Sequence, residues 1–220
     1  ARPCHLNYLY KLSFINSFMK NNSMLNFKQI RYFRQDKHPE EEIIKSLITE
    51  TYNLVPSKQK LVPYKIHVFG PNNLKEKEAL YLATKNRNVK VNTSVNYQIF
   101  ASYVLLFTSR LCDNPNKEVK NSMKRGHRYN SCNLNKYKIF KTISNIEIGM
   151  FCSNLSYACL NNNLDIAYTG CLPPNIKQFM PKIEEDIYLA MSIGYADDGN
   201  PYRKNGKQYK PDIKEIIDWH

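Results

Sequence analysis

Two runs of nearly uninterrupted apolar residues constrain this chain more than anything else in it. Ser102 to Thr108 reads SYVLLFT, and Ile187 to Tyr195 reads IYLAMSIGY. Successive side chains of a strand point to opposite faces, so a half-buried strand alternates apolar and polar residues. These runs do not alternate, and each is expected to be a strand buried on both faces. A sheet of that kind needs a layer of structure above it and another below.

The rest of the chain offers those layers. Pro39 followed by Glu40, Glu41 and Glu42 marks a helix start, because acidic residues in a first turn complement the helix dipole. Ile43, Ile44, Leu47, Ile48 and Thr51 then recur at helical spacing, which predicts a helix over 39–53. Val55-Pro56 ends it, since the residue before proline disfavours the α region. Tyr64 to Phe69 is a short β-rich run closed by Gly70-Pro71, and 74–84 is again helical in pattern. Residues 145–162 carry Ile148, Phe151, Cys152, Leu155, Ala158 and Cys159, a wide apolar stripe on one helix. Gly149 within it costs about 1 kcal/mol against alanine, so either a close approach by another backbone or ring, or a plain packing need, is expected there. The order is helix, strand, helix, strand, polar insertion, helix, strand, tail. We read a single mixed α and β domain over 25–220, preceded by an arm, residues 1–24.

Composition narrows the function classes. The chain has 220 residues, 42% hydrophobic and 12% aromatic, enough for a real core. Only seven residues are glycine, and neither GxGxxG nor GxxxxGK[ST] occurs. A bound phosphate would therefore be held by side-chain cations or a helix N-terminus. The net charge of +13 fits either a polyanionic partner or simply solvated lysines. Much of it lies in 113–145, which carries Lys117, Lys120, Lys124, Arg125, Arg128, Lys136, Lys138 and Lys141. That stretch is either a lid or binding segment, or a solvated excursion with two short helices.

The six cysteines are irregularly spaced and form no CxxC. They read as free thiols of a reducing compartment, and no metal site is expected. No stretch approaches the roughly 20 apolar residues that a membrane span needs. Leu6 to Met19 is interrupted by Asn7, Lys11, Ser13 and Asn16 and lacks a small-residue cleavage site, so no signal peptide is read there. A cytoplasmic protein is expected. No Ser-His-Asp or Cys-His arrangement stands out; His67, in mid-strand, and His127, in the basic stretch, read as structural or solvent-facing.

Four separated segments do form a pattern. The first is Lys28-Gln29-Ile30-Arg31-Tyr32-Phe33, just ahead of the glutamate-started helix. The second is Val55-Pro56-Ser57-Lys58-Gln59-Lys60-Leu61-Val62-Pro63-Tyr64, running into a strand. The third joins the apolar-striped helix to Asn163-Leu164-Asp165 and then Ala167-Tyr168-Thr169-Gly170. The fourth is the strand ending Gly194-Tyr195, followed by Arg203, Lys204, Lys207 and Lys210-Pro211. In this order and spacing they resemble the nitroreductase superfamily of flavin mononucleotide (FMN) enzymes, over roughly 25–217.

The resemblance holds residue by residue only in part. Arg31 and Phe33 match the end of an R-x-S-x-R/K-x-F motif. Phe27 stands where an arginine is usual and Gln29 where a serine is usual, with Lys28 between them. Pro56, Ser57, Pro63 and Tyr64 match P-S-x-x-N-x-Q-P-W/Y, with Lys60 in place of Asn and Val62 in place of Gln. Asn163 takes the place of a glycine at the helix end, where asparagine is the next-best residue for a left-handed cap.

The resemblance implies an α+β fold: a central, mostly antiparallel sheet flanked by helices, in an intertwined homodimer. It implies FMN at the dimer interface, contacted by Lys28, Gln29, Arg31, Pro56, Ser57, Lys58 and Lys60. Thr169 and Gly170 would lie beside flavin N5, and Lys207 and Lys210 would hold the phosphate. The chemistry implied is hydride transfer from NAD(P)H through N5, then reduction of a nitroaromatic, a quinone or a similar conjugated acceptor. No protein nucleophile or general base is needed. Two rival readings stand beside it. One is a basic nucleic-acid-binding module, suggested by the charge and sixteen tyrosines but without a recognition signature. The other is the same fold with altered or lost redox chemistry.

Overall fold

The computed structural model of the protein describes residues 29–57, 62–86, 96–110, 136–170, 172–199 and 212–217. At its centre lies a four-stranded sheet in the order β1-β2-β4-β3: β1 is Tyr64–Phe69, β2 Tyr103–Ser109, β3 Asp165–Thr169 and β4 Ile187–Gly194. All three strand pairings are antiparallel. The two apolar runs are the two central strands, as their lack of alternation requires. Every residue from Val104 to Phe107 is 0% exposed. Tyr103, Leu105 and Phe107 belong to one core cluster, while Val104 and Leu106 belong to another on the opposite face.

Helices α1 (Glu41–Leu54) and α3 (Lys136–Asn161) cover the first face. The second is covered by α2 (Leu74–Asn86), a turn of 3-10 helix at Tyr97–Phe100 and the segment 176–183. Glu40 caps α1 in extended backbone with Glu41 and Glu42 in the first turn, and Val55 leaves the helix in extended backbone. Ile44 and Leu47 face the core, whereas Ile43, expected in the same stripe, is 40% exposed.

The long helix differs from its expected extent. It begins at Lys136, so residues 136–145 of the basic stretch are its opening turns, and 113–135 lie outside the described residues. That part mixes Lys136, Lys138 and Lys141 with Tyr137, Ile139, Phe140 and Ile143, and its charge sets it with the polar stretch in the sequence although apolar residues recur through it. A helix once nucleated by packing extends one residue at a time at little cost, so polar turns can continue a packed helix. Its far end matches the reading of Asn163, whose φ is 57°. Leu164 N–H donates to Cys159 O at 2.9 Å and Asn163 N–H to Leu160 O at 3.1 Å. Those two bonds are a Schellman cap, and they aim the chain directly into β3.

Lys77 of α2 is only 2% exposed, and no carboxylate neutralises it among the described residues. Its ammonium donates to Ala101 O at 2.7 Å and Ser102 O at 2.9 Å, the two carbonyls just before β2. Burial pushes its pKa down to about 8.

Cys152 and Cys159 are free and buried in α3, and burial pushes both thiols up to about 12. They act as small hydrophobes. The other four cysteines lie outside the described residues. Unfolded thiols release their protons near the ordinary cysteine value of 9.0, well below the folded ones. Between pH 9 and 12 the folded state therefore binds more protons, and stability falls as pH rises, by about 1.4 kcal/mol per pH unit for each thiol. Urea unfolding from pH 8.5 to 10.5 should show this slope flattened in a Cys152→Ala/Cys159→Ala variant. Lys77 works in the opposite direction, its cost easing from pH 8 to 10.5, and is common to both proteins.

Candidate functional site

The segment ahead of α1 is bolted to the β3 edge. Gln29 Nε2 donates to Tyr168 O at 2.6 Å, and Ile30 N–H to Ile166 O at 3.4 Å. Further on, Phe33 pairs with Ala196, Arg34 N–H donates to Tyr195 O at 2.9 Å and Asp197 N–H to Tyr32 O at 3.0 Å. Asp165 Oδ2 accepts Ala196 N–H at 2.8 Å. Ile30 and Phe33 are buried against Ala101 and Ala167. The backbone of Arg31 is thus fixed from both sides, with its side chain half-buried.

Gly194 makes this join possible. A Cβ there would meet Ser102 Oγ at 3.0 Å and Phe33 Cδ1 at 3.1 Å, too close for a rigid neighbour. Gly170, one residue beyond β3, is exposed, and a Cβ on it would touch only Leu189 Cδ1 at 3.8 Å. It offers open backbone at the strand end. Thr169 is different. It is 3% exposed, and its Oγ1 accepts from Gln98 Nε2 at 2.8 Å. Its side chain anchors the strand from inside and leaves the open surface to Gly170.

The Pro-Ser segment is bolted to the other edge of the sheet. Ser57 Oγ accepts Val62 N–H at 2.8 Å and so closes the loop that leads into β1. Val62 has a φ of 45°, rare for a β-branched residue. It is held there by the serine, by Arg110 Nη1 donating to Val62 O at 3.0 Å, and by Ser144 Oγ donating to Pro63 O at 3.0 Å. Strain that is over-determined in this way concentrates at functional sites. Pro56 is exposed beside it.

The expected site residues therefore fall into two groups. Gln29, Arg31 and Gly170 gather at the β3 edge, with Thr169 beneath. Pro56 and Ser57 sit at the β1 edge, three strand spacings away, or roughly 14 Å. Lys28, Lys58, Lys60, Lys207 and Lys210 lie outside the described residues.

One feature of the first group escaped the sequence reading. Tyr32, next to Arg31, stacks on Tyr97 with ring centroids 5.3 Å apart. The stack continues to Tyr81 at 5.8 Å and from there to Phe100 at 5.0 Å. The only signal for it was the abundance of tyrosine, which does not say which rings meet.

No protein-family model and no curated protein matches the sequence. Solved structures do match. A candidate NAD(P)H:FMN oxidoreductase from Staphylococcus epidermidis superposes with a TM-score of 0.68 at 16% identity, over 91% of this chain and 95% of that one. A nitroreductase candidate from Exiguobacterium sibiricum, solved in complex with FMN, gives 0.64 at 14% identity over 90% and 95%. The NADPH:FMN oxidoreductase of Vibrio harveyi, complexed with NAD+, gives 0.59 at 14% over 91% and 81%. The chain has the nitroreductase fold.

The nitroreductase resemblance read from four short motifs is thereby borne out as a fold. Among the described residues, no helix is long and apolar enough to cross a membrane. Within this fold, Tyr168 ties the site to the long helix. Its hydroxyl donates to Cys152 O at 3.0 Å and bonds Ser156 Oγ, while its carbonyl holds Gln29. Burial pushes that hydroxyl up to about 12, so it stays protonated at neutral pH.

Proposed function

We propose that the protein is an FMN-dependent oxidoreductase that takes hydride from NAD(P)H and reduces a nitroaromatic, a quinone or a similar conjugated acceptor, working as a homodimer. The observation that carries this reading is the division of the motif residues between opposite sheet edges. A site shared by two chains uses one edge from each. The solved neighbours support it, since one is described in complex with FMN and another is an NADPH:FMN oxidoreductase complexed with NAD+.

The residues present fit a flavin. FMN, when bound, accepts a hydride at its ring and returns electrons to a second substrate. The chain's part is to bind and orient it. Arg31, on a backbone immobilised by β3 and β4, places a permanent cation for phosphate or for the pyrimidine edge. Gly170 lets a flat ring come close to backbone at the end of β3. Gln29 holds that strand end through Tyr168 O. Pro56 and Ser57 of the second chain would form the opposite wall, with Lys58 and Lys60 following them, and Lys207 and Lys210 would meet the phosphate. On α3, Ile146 and Met150 are 59% and 37% exposed, and Gly149 has nothing within 4 Å of a Cβ position. Neither packing reason for that glycine is found among the described residues. A second copy laid on this face supplies one.

The test is complementation. Arg31→Ala removes a charge-assisted contact and is expected to weaken FMN binding by about 10- to 100-fold. Ser57→Ala, which frees the loop before β1, should also weaken it. Coexpressed as differently tagged chains, the two variants should form mixed dimers in which half of the sites are intact. Full-affinity FMN binding and NAD(P)H oxidation by those sites are the expected results. Mixed dimers with no intact site would put Arg31 and Ser57 in the same chain's pocket and overturn the shared site. Failure of the wild-type protein to bind FMN would overturn the function.

A further inference from the structure

On the face of the sheet away from α1 and α3 there is a cavity of about 330 Å³ between β1, the first turns of α2 and the segment 179–183. Phe69, Ala79, Phe179, Met180 and Ile183 make most of its wall apolar. Lys75, Glu76 and Lys182 stand at its rim, and among the described residues neither lysine has a carboxylate partner. His67 closes one end. Its Nε2 is buried with no hydrogen-bond partner among the described residues, and Glu185 Oε2 is 3.8 Å away. Glu185 is itself engaged by Lys65 Nζ at 2.9 Å.

Native proteins rarely leave a buried imidazole nitrogen unsatisfied, and this solvent-open hollow adjoins one. Its volume is at the lower end for ligand pockets. That suits one substituted ring and is too small for a dinucleotide. The apolar wall asks for a hydrophobic body. Two unpaired lysines against one glutamate ask for a single negative charge at the mouth.

We infer that this cavity is a binding site for a small aromatic carboxylate, its ring against Phe69, Phe179 and Met180 and its anionic group between Lys75 and Lys182. The site is remote from the β3-edge residues and does not rest on the flavin reading. It lies where an occupant would brace α2, whose Lys77 holds the two residues that lead into β2.

The experiment uses the full chain, with and without FMN, and 4-fluorobenzoate as the probe, followed by fluorine NMR and by thermal shift. Saturable binding is expected, and the neutral isostere 4-fluorobenzamide should bind at least about tenfold more weakly. Lys75→Gln and Lys182→Gln should each weaken the benzoate several-fold, while Glu76→Gln should tighten it. Lys75 and Lys182 are exposed and Glu76 is half-buried, all with room for a neutral amide, so opposite signs from neighbouring residues report charge recognition and not folding. Ala79→Phe, which fills the hollow, should abolish binding. Equal affinity for the amide, no saturable binding, or insensitivity to all four variants would overturn the proposal. So would loss of benzoate binding in Arg31→Ala or on saturation with FMN, which would move the ligand to the β3 edge. Binding unchanged by both is the result expected.

Discussion

On the proposed homodimer with its shared flavin site, glutamate at both Ile146 and Met150 is expected to leave a monomer that does not retain FMN. Both side chains project from the solvent side of α3, with Gly149 between them leaving the helix backbone bare. Burying an isoleucine and a methionine against a second copy is worth about 1.5–3 kcal/mol each. Replacing them by carboxylates removes that gain and adds the cost of desolvating two charges on each chain. Dimer dissociation should rise by at least about a thousandfold, which is ~4 kcal/mol. Sedimentation equilibrium reads the change directly. Circular dichroism should be unaltered, because nothing among the described residues packs on this face. A variant that remains dimeric and yellow would place the interface elsewhere.

The opposite face of the same helix has a different task, and its disruption should cost folding. Phe151 is 0% exposed and meets Tyr64 edge-on at 5.9 Å and Phe107 at 5.8 Å. The three rings join α3 to the first residue of β1 and to the middle of β2. Phe151→Ala leaves a cavity among rigid neighbours and is expected to cost about 3–5 kcal/mol. Against a typical stability of about 5–15 kcal/mol, that is a large share. For a chain of this size it lowers the melting temperature by roughly 10–15 °C. Denaturant unfolding should show a lower midpoint with unchanged slope, since the surface exposed on unfolding hardly alters. A loss of under 1 kcal/mol would mean that α3 is not held to the sheet through these rings.

The two faces of α3 show why some of this protein was legible in its sequence and some was not. Phe151, Cys152, Leu155 and Cys159 recur at helical spacing, and a packed face could be read from that period, though not whether it meets this chain's own sheet, as it does, or a second copy. Ile146 and Met150 break the same period. A chain seen by itself does not say whether such residues are tolerated exposure or an interface. The opening turns at 136–145 were not legible as helix because their lysines group them with the basic stretch, although Tyr137, Ile139, Phe140 and Ile143 lie among them. The Asn163 cap was visible because few residues accept a positive φ. At the β3 edge, Arg31 and Gly170 were found through short motifs, whereas the burial of Thr169 against Gln98 and the Tyr32–Tyr97 stack join residues about 65 to 71 positions apart. No local pattern encodes which distant partners will meet.

What the sequence determined by itself was local: where helices start and stop, which strands are buried on both faces, and which backbone positions need glycine or asparagine. These follow from periodicity and from the steric limits of single residues. Tertiary structure alone decided that Gln29 and Arg31 lie on the edge opposite Pro56 and Ser57, and that a hollow opens between β1 and α2. Strand order and cavity shape arise from many distant side chains packing at once, and that information is spread over the whole chain with no single stretch holding it.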